Sequence, residues 1–320
     1  MRLIRGIYNL RAEHRGYALT IGNFDGVHRG HQALLTKLRR AGNKRKIPVM
    51  VMLFEPHPLE VLNLTNAPAR LTRLHEKLCY LQKAGVDTVL CVRFTQSFSS
   101  CSARDFINGV LVNKLRIKLL AVGDDFEFGA GRDGNFRLLQ KASIDYGFDI
   151  LNTQTLLEHN QRISSTSIRA ALSKDNLSLA AILLGRPFSM SGRVIYGDSL
   201  GRSIGFPTAN IPLFRVLTPI EGVYIVCVKG EERQVFFGVA NIGTQPTLNL
   251  QRARKQLEVH LLDMSLNLYG QYIEVIFLHK IRNEKRFSSL FALKEQIKRD
   301  VMDARYFFDH NKPNDSLNTT

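Results

Sequence analysis

In the first half of the chain, short apolar runs alternate with segments whose leucines recur at helical spacing. The runs are rich in β-favouring residues and predict buried strands, whereas the segments between them predict helices. Such alternation is typical of an α/β domain, with a parallel sheet covered by helices on its faces. The predicted strands are 16–20, 48–54, 88–92, 118–122 and 148–151, and the predicted helices are 32–40, 71–83, 102–106, 135–146 and 177–184.

After Gly185 the pattern changes to short strands separated by Gly/Pro turns. Several short strands in succession predict a closed antiparallel barrel. A helix from 289 to 308 follows, and its Leu290, Leu293, Ile297 and Met302 are expected to pack on the barrel. We therefore predict domains at 1–185 and 186–310, with a polar tail at 311–320. The strand candidates are 189–196, 222–228, 235–240, 257–262 and 272–278.

Composition agrees with a two-domain chain of 320 residues that is 44% hydrophobic. The apolar runs are too short for a membrane span, and the first six residues lack the apolar region of a signal peptide. The four cysteines form no C-x-x-C pair, which favours reduced thiols and a cytoplasmic protein. The net charge of +16 favours polyanions, but the basic residues are scattered. We expect no membrane or specific nucleic-acid partner, and either a monomer or a weak homo-oligomer.

The most informative stretch is the glycine-rich turn at 21–31, which lies between a predicted strand and a predicted helix. A helix N-terminus presents free backbone N–H groups and suits a phosphate. His28 and His31 are three residues apart, so both face the same side of a first helical turn. There they could donate hydrogen bonds as negative charge develops on a phosphorus. Two surface histidines are the plainer interpretation, and zinc is a weaker one because no further Cys/His cluster stands nearby.

Three further segments of the first half carry candidate chemistry. His57 follows a predicted strand between two prolines, at the sheet edge where ligands bind, although a structural turn histidine is the default. The loop at 123–134 contains four glycines and could wrap a ligand; a calcium loop lacks support because its D-x-D-x-D spacing is absent. Hydroxyls at 164–167 predict a capped helix start, and Arg169, one turn later, could reach phosphates.

In the second half, the loop at 197–210 contains three glycines and a proline. Thr208 and Asn210 point the same way in an extended chain, and their oxygens suit Mg²⁺ together with water and phosphate. By itself, this spacing fits a simple turn equally well. Glu258 alternates with apolar neighbours on a predicted strand and is either a solvated carboxylate or a site residue.

Together these segments resemble the bacterial bifunctional riboflavin kinase/FMN adenylyltransferase family, also called FAD synthetases. The resemblance covers essentially the whole chain, with the motifs in the family's order and spacing. The H-x-G-H core alone is shared with other nucleotidylyltransferases and class I tRNA synthetases, but its F-D-G extension is much narrower. The matching motifs are G-x-F-D-G-x-H-x-G-H at 22–31, F-E-P-H-P at 54–58, G-x-D-F-x-F-G at 123–129, I-S-S-T-x-I-R at 163–169, G-R-x-x-G-F-P-T-A-N at 201–210 and L-E-V-H-L at 257–261.

The resemblance implies a Rossmann-like N-terminal nucleotidylyltransferase domain that adenylylates FMN to FAD and releases pyrophosphate. It implies a C-terminal barrel that phosphorylates riboflavin with ATP, and Mg²⁺ for both reactions. His28 and His31 would position phosphates and stabilise charge, and Glu258 would accept the proton of the riboflavin 5′-hydroxyl. The other implied site residues are Gly22, Phe24, Asp25, Gly30, Ser165, Thr166 and Arg169 for ATP phosphates; His57, Asp125, Phe126 and Phe128 for flavin and nucleotide; Gly201, Arg202, Gly205, Phe206 and Pro207 for the kinase phosphate loop; and Thr208 and Asn210 for Mg²⁺.

One position departs from the family. Gln245 stands where the family usually has Arg, so no contact is assigned there. Two other functions stay open at this point. One is a nucleotidyltransferase for a different phosphate, with a barrel that only binds flavin. The other is a basic nucleic-acid-binding module, which would bind RNA or DNA with strong salt dependence and would not turn over ATP with flavin.

Overall fold

The computed structural model describes residues 1–153, 157–158, 161–197, 200–215, 217–230, 234–245, 254–264 and 266–311. The polar tail beyond Asn311 and the part of the Gln245 motif at 246–247 lie outside these residues. The chain divides into two compact units, Met1–Ser167 and Ile168–Thr320. Across the described ranges, no helix combines the length and the apolar character that crossing a membrane requires.

The first unit contains a six-stranded sheet in which every neighbouring pair is parallel, in the order β1-β4-β3-β2-β5-β6. This confirms the predicted α/β architecture. Its strands are β1 (Arg2–Arg5), β2 (Ala18–Ile21), β3 (Val49–Glu55), β4 (Thr88–Arg93), β5 (Leu119–Val122) and β6 (Asp149–Asn152), and a small hairpin is formed by β7 (Leu157–Glu158) and β8 (Gln161–Arg162). Its helices are α1 (Arg29–Arg45), α2 (Pro58–Leu62), α3 (Leu74–Lys83), α4 (Gln96–Ser99), α5 (Ala103–Phe106), which continues as a π-helix over Ile107–Lys114, and α6 (Phe136–Tyr146).

The central strands are buried on both faces because helices cover each side of the sheet. Met50 and Met52 point to one apolar cluster, and Val51 and Leu53 point to another on the opposite face. Strand β1 was not predicted from the sequence. Only Ile4 of its four residues is buried, so the strand carries almost no local hydrophobic pattern.

Helix α7 (Ser165–Ser173) contains the division between the two units, and α8 (Leu177–Leu184) follows it. The second unit holds a six-stranded antiparallel sheet in the order β10-β13-β12-β11-β14-β9. The sequence predicted a closed antiparallel barrel, and the sheet is a near-barrel, because a bridge between Ile195 and Asn210 joins its two edges. The elements are β9 (Ser189–Arg193), α9 (Leu200–Ser203), β10 (Ala209–Pro212), β11 (Gly222–Lys229), β12 (Val235–Gln245), β13 (Arg254–Leu261), β14 (Tyr272–Arg282) and α10 (Leu290–His310).

Helix α10 lies where the apolar spacing predicted it, but the predicted packing face was partly wrong. Leu290 and Met302 are 56% and 66% exposed. The side chains that pack on β11 and β12 belong to Ile297, Val301 and Ala304, which follow a four-then-three spacing. Met302 is one residue beyond Val301 and therefore lies about 100° further around the helix, toward solvent.

Candidate active sites

The first candidate site lies at the carboxyl edge of the parallel sheet. The loops that follow β2, β3 and β5 all leave the sheet at this edge, since the strands are parallel. From β2 the chain passes through α1 to β3 on one side, and it later returns through β5 on the other side. Open α/β sheets bind ligands at such a switch point. The predicted histidine turn therefore stands at the expected place for a nucleotide site.

His28 and His31 form a stacked pair at the start of α1. Their ring centroids are 3.7 Å apart, with an angle of 21° between the rings. His28 is the N-cap of the helix, and its Nδ1 accepts the backbone N–H of His31 at 3.4 Å. A Cβ at Gly30 would lie 3.1 Å from the His28 ring and 3.3 Å from the carbonyl oxygen of Ile163. The glycine therefore leaves room for the pair.

The His31 ring is held in its neutral form. Burial lowers its pKa well below the ordinary value of 6.5, and the charges of His28 and Lys77 lower it further. Its Nδ1 is buried and has no hydrogen-bond partner among the described residues. A neutral imidazole still carries one N–H donor, so His31 can position an anionic oxygen without being a cation.

This pKa predicts how His31 responds to acid. In the unfolded chain the ring takes up a proton near pH 6.5, whereas in the folded protein it resists protonation. The unfolded state therefore binds more protons below pH 6.5, and His31 reduces the free energy of unfolding by up to about 1.4 kcal/mol per pH unit there. We expect imidazole ¹⁵N NMR at pH 6 to show a neutral His31, with the urea-unfolded protein as the control. A protonated His31 ring in the folded protein at pH 6 would contradict this.

Asp25 and Phe24 hold the histidine turn in place from its buried side. The Asp25 side chain is 2% exposed, and its carboxylate accepts the backbone N–H groups of Leu71 and Thr72 at 3.1 and 2.9 Å. The Thr72 hydroxyl in turn accepts the Gly26 N–H at 2.8 Å. Phe24 is buried in the apolar cluster beneath the turn. These contacts tie the turn to the segment before α3; direct contact of either residue with ATP stays a prediction.

The hydroxyl-rich start of α7 is joined to the same turn. The Ser165 hydroxyl donates to the backbone carbonyl of Asp25 at 2.8 Å. Thr166 is exposed at the beginning of the helix. Arg169 follows Ser165 by four residues, on the part of α7 that belongs to the second unit. The structure thus brings Ser165 to the histidine turn, as the first-half motifs require.

His57 is fixed rather than free to swing. It is the N-cap of α2, its Nδ1 accepts the Leu59 N–H at 3.2 Å, and its own backbone N–H donates to Glu60. Arg70 holds Glu60 and Glu55 together, with Nε 2.6 Å from Glu60 Oε1. His57 is 8% exposed. The network fixes the His57 ring at the carboxyl end of β3.

The loop after β5 presents a carboxylate and two aromatic rings. Asp125 forms an ion pair with Arg162 of β8. Phe126 and Phe128 stack with ring centroids 5.5 Å apart, and both pack against the core on the α5 side of the sheet. Two stacked rings of this kind can support a planar heterocycle.

Lys77 is a component of this region that the sequence did not reveal. It lies on α3, within the predicted helix at 71–83, and its side chain is 1% exposed. Burial lowers its pKa, while the charges of Asp25 and Glu55 oppose that effect. The Lys77 ammonium group is close enough to the histidine turn to lower the pKa of His31.

The second candidate site is a cavity of about 500 Å³ in the second unit. This volume is in the range of small-molecule sites. Alternate residues of each strand line it, and the intervening residues, such as Leu257 and Val259, are buried on the other face. The sheet side of the cavity consists of Thr208, just before β10, and the strand residues Asn210, Val223, Val239, Asn241, Gly243, Gln256, Glu258 and His260. The opposite wall is formed by Arg282, Glu284, Lys285, Phe287, Leu293, Ile297, Asp300 and Val301.

Asn210, Glu258 and Asn241 form one row across three neighbouring strands. Asn210 pairs with Glu258 between β10 and β13, and Glu258 pairs with Asn241 between β13 and β12. Gln256 donates its Nε2–H to Asn210 Oδ1 at 2.6 Å and so orients that carboxamide. A Cβ at Gly197 would lie 2.2 Å from Asn210 Nδ2, so only glycine fits there.

The predicted phosphate loop, which precedes Asn210 in the chain, folds back on itself. The Phe206 N–H donates to the Gly201 carbonyl at 2.7 Å, and a Cβ at Gly201 would lie 2.4 Å from the Phe206 carbonyl oxygen. His260 contacts the Pro207 carbonyl through Nδ1 at 2.9 Å. Gly201 and Phe206 line the cavity, whereas Arg202, Gly205 and Pro207 do not. Residues 198–199 of this loop lie outside the described residues.

The wall opposite the strands is held by a buried ion pair. Arg282 contacts Asp300 of α10 through Nε at 2.9 Å and Nη2 at 2.7 Å, and Asp300 is 2% exposed. A two-pronged contact of this kind fixes the planes of both groups. The sequence did not reveal this pair, because its members are 18 residues apart on different elements.

The two side chains predicted to hold a cation in this cavity, Thr208 and Asn210, offer neutral oxygens. Thr208 and Asn210 both line it, on the side away from Asn241. Such oxygen donors fit Mg²⁺, which keeps water and substrate phosphates in most of its shell. Within the described ranges, no three His, Cys, Asp or Glu side chains cluster closely enough to hold a metal.

Comparisons with known proteins agree with this arrangement. A family model for FAD synthetase matches residues 10–167, and one for riboflavin kinase matches residues 184–308. The chain is 60% identical to a bifunctional riboflavin kinase/FMN adenylyltransferase of Escherichia coli (strain K12), over 98% of this chain and 100% of the relative. It is 51% identical to the enzyme of the same description from Haemophilus influenzae, over 97% and 100%.

A solved structure has the same fold over nearly the whole chain. It is described as a macrolide-efflux protein from Streptococcus pneumoniae, with a TM-score of 0.76 and 27% identity, and the match covers 95% of this chain and 99% of that one. The shared fold is that of a parallel-sheet unit followed by an antiparallel near-barrel.

Proposed function

The chain belongs to the bifunctional riboflavin kinase/FMN adenylyltransferase family, and we propose that it makes FAD from riboflavin in two ATP-dependent steps. The kinase step forms FMN at the Glu258 cavity, and the adenylyl transfer joins FMN to AMP at the histidine turn. The observation that carries the proposal is that each unit has its own candidate site, one at a sheet switch point and one on a barrel face. We assign adenylyl transfer to residues 1–185 and kinase activity to 186–310, with a polar tail at 311–320.

In the kinase step, Glu258 accepts the proton of the riboflavin 5′-hydroxyl as its oxygen attacks the γ-phosphorus of ATP. The new O–P bond forms FMN while the bond to the β-phosphate oxygen breaks and releases ADP. The loop of Gly201, Arg202, Gly205, Phe206 and Pro207 binds the ATP phosphates. Its folded-back geometry and the His260 contact support this role.

Thr208 and Asn210 would hold Mg²⁺, which neutralises charge on the triphosphate. The Gln256 contact supports the assignment because it fixes the plane of the Asn210 carboxamide beside Glu258. The Asn210 oxygen has two lone pairs, so it can accept that contact and still face a cation.

In adenylyl transfer the FMN phosphate attacks the α-phosphorus of ATP, and pyrophosphate leaves. The phosphate is already anionic, so the protein needs no general base. His28 and His31 donate hydrogen bonds to the phosphate oxygens and hold them in line. Gly22, Phe24, Asp25 and Gly30 shape the turn, and Ser165, Thr166 and Arg169 hold the leaving phosphates. The binding site for flavin and nucleotide is lined by His57, Asp125, Phe126 and Phe128. The stacked phenylalanine rings and the fixed His57 ring support this assignment.

The compartment and partners follow from the same chemistry. The four cysteines, all within the described ranges, are thiols rather than disulfides, which supports a reducing compartment, and we assign the protein to the cytoplasm. Its basic charge suits ATP and FMN, which are polyanions, without a nucleic-acid partner. We expect a monomer or a weak homo-oligomer.

Flavin chromatography tests the proposal directly. Incubation of the protein with riboflavin, ATP and Mg²⁺ should yield FMN and then FAD, and incubation with FMN and ATP should yield FAD alone. A parallel reaction with excess EDTA should yield neither product, because the triphosphate would lose its neutralising cation. If riboflavin and ATP gave no FMN, the barrel would be a flavin-binding module only. If FMN and ATP gave no FAD, the first unit would act on a different phosphate.

A further inference from the structure

Asn241 is a polar group of the kinase cavity for which the reaction as described has no use. It lies on β12 and lines the cavity. Its Oδ1 is buried and has no hydrogen-bond partner among the described residues. A buried carboxamide oxygen without a partner is unfavourable in the empty protein. Asn241 therefore has hydrogen-bonding capacity that no described residue uses.

The position of Asn241 in the sheet indicates which part of a bound substrate it could contact. Asn210 and Asn241 flank Glu258 in one row, and cross-strand neighbours on a face are about 5 Å apart. The row continues on β11, where Val223 pairs with Asn241. Across four strands the order is Asn210, Glu258, Asn241, Val223. It runs from a polar end to an apolar end, since Val223 packs against Val301 of α10.

This order matches the chemistry of a flavin acceptor. The phosphate donor lies at the Thr208–Asn210 end, and the reacting hydroxyl must meet it at Glu258. The rest of the acceptor must then extend away from the phosphates, past Asn241, toward the apolar wall. Riboflavin has this sequence of groups: a terminal hydroxyl, a polyhydroxylated ribityl chain and an aromatic ring.

We propose that Asn241 binds a hydroxyl of the ribityl chain and so selects a polyol-bearing flavin as the acceptor. A carboxamide supplies both an acceptor and donors, and a hydroxyl can satisfy either. This inference rests on the proposed kinase function of the same cavity. It makes Asn241 a specificity-determining residue for the acceptor and assigns it no part in binding ATP.

Two flavins that differ only in the side chain test the proposal. Riboflavin has the ribityl chain, whereas lumiflavin has the same ring with a methyl group in its place. We expect Asn241→Ala to weaken riboflavin binding about tenfold, the effect of losing one buried hydrogen bond. Lumiflavin binding and the KM for ATP should stay unchanged. Binding is measured by flavin fluorescence without ATP, and KM by FMN formation.

The controls separate a contact from a folding effect. Asn267→Ala removes an exposed carboxamide of the same unit outside the cavity and should leave both flavins bound as in wild type. Asn241→Ser introduces a short hydroxyl that can also donate and accept a hydrogen bond. It should recover part of the riboflavin affinity, and it tests the contact even if the alanine variant folds poorly. Thermal melting of each variant reports whether the second unit is folded, because Asn241 and Asn267 both belong to that unit.

Two results would overturn the assignment. Unchanged riboflavin affinity in Asn241→Ala would show that no ribityl contact exists. An equal loss for riboflavin and lumiflavin would show that Asn241 contacts the ring or only supports the cavity. Absence of FMN from the wild-type protein would instead remove the kinase function itself, an outcome visible before any variant is compared.

Discussion

Replacement of Glu258 by glutamine should reduce riboflavin phosphorylation by about 10²- to 10⁴-fold, the usual contribution of a general base. Formation of FAD from supplied FMN should continue at the wild-type rate. The two effects differ because Glu258 belongs to the cavity of the second unit, whereas the histidine turn belongs to the first.

The substitution is informative because glutamine has nearly the same shape as glutamate. Its carbonyl oxygen can still accept hydrogen bonds beside Asn210 and Asn241, but the side chain cannot take a proton at neutral pH. A loss in kcat with little change in the KM for riboflavin would therefore indicate a missing base, since substrate binding is retained. A structural carboxylate would give the opposite result, with a lowered thermal midpoint and a kcat near wild type.

Glu221→Gln is the matched control. Glu221 precedes β11 and forms an ion pair with Lys255, and its side chain is 55% exposed, outside the cavity. Removing this charge should leave both activities intact, because an exposed ion pair contributes little to stability. Retention of full kinase activity by Glu258→Gln would exclude Glu258 as the base.

The fold could be predicted where burial leaves a local pattern. The strands at 48–54 and 88–92 are almost entirely apolar because both faces of a parallel sheet are covered, and the structure confirms both. Strand β1 carries no such pattern, and its place at the sheet edge depends on the ladder it forms with β4, more than 80 residues away. On α10, Met302 was predicted to pack on the barrel, but its neighbour Val301 does so instead. Helical spacing alone does not determine which of two adjacent apolar residues faces the barrel.

The candidate sites could be predicted only as separate segments. The motifs identified His28, Glu258 and Asn210, each from its own stretch of sequence. The row that places Asn210 and Asn241 on either side of Glu258 depends on the register of three strands. No local signal gives that register, so the role of Gln256 as a partner of Asn210 was also missed. Lys77 was missed for a related reason, since its burial depends on tertiary packing around α3.

His28 has two roles at the start of α1, and one substitution separates them. Its Nδ1 caps the helix by accepting the His31 N–H, and the rest of the ring stacks on His31 at 3.7 Å. Asparagine is a good N-cap, so His28→Asn removes the imidazole but supplies a carboxamide oxygen that can accept the His31 N–H in place of Nδ1. We expect FAD formation from FMN to fall by about 10²- to 10³-fold, the typical effect of losing one preorganised donor to a developing charge.

Riboflavin phosphorylation should be unaffected in the same preparation, so the variant should convert riboflavin and ATP to FMN and stop there. His75→Asn is the control, because His75 is an exposed histidine on α3. Product ratios by flavin chromatography, together with thermal melting of each variant, complete the measurement. A wild-type rate of FAD formation in His28→Asn would show that the imidazole has only a capping role, because asparagine preserves that role. The developing charge would then be stabilised by His31 and by the backbone N–H groups of the first turn. The His28 ring would only hold His31 in place by stacking on it.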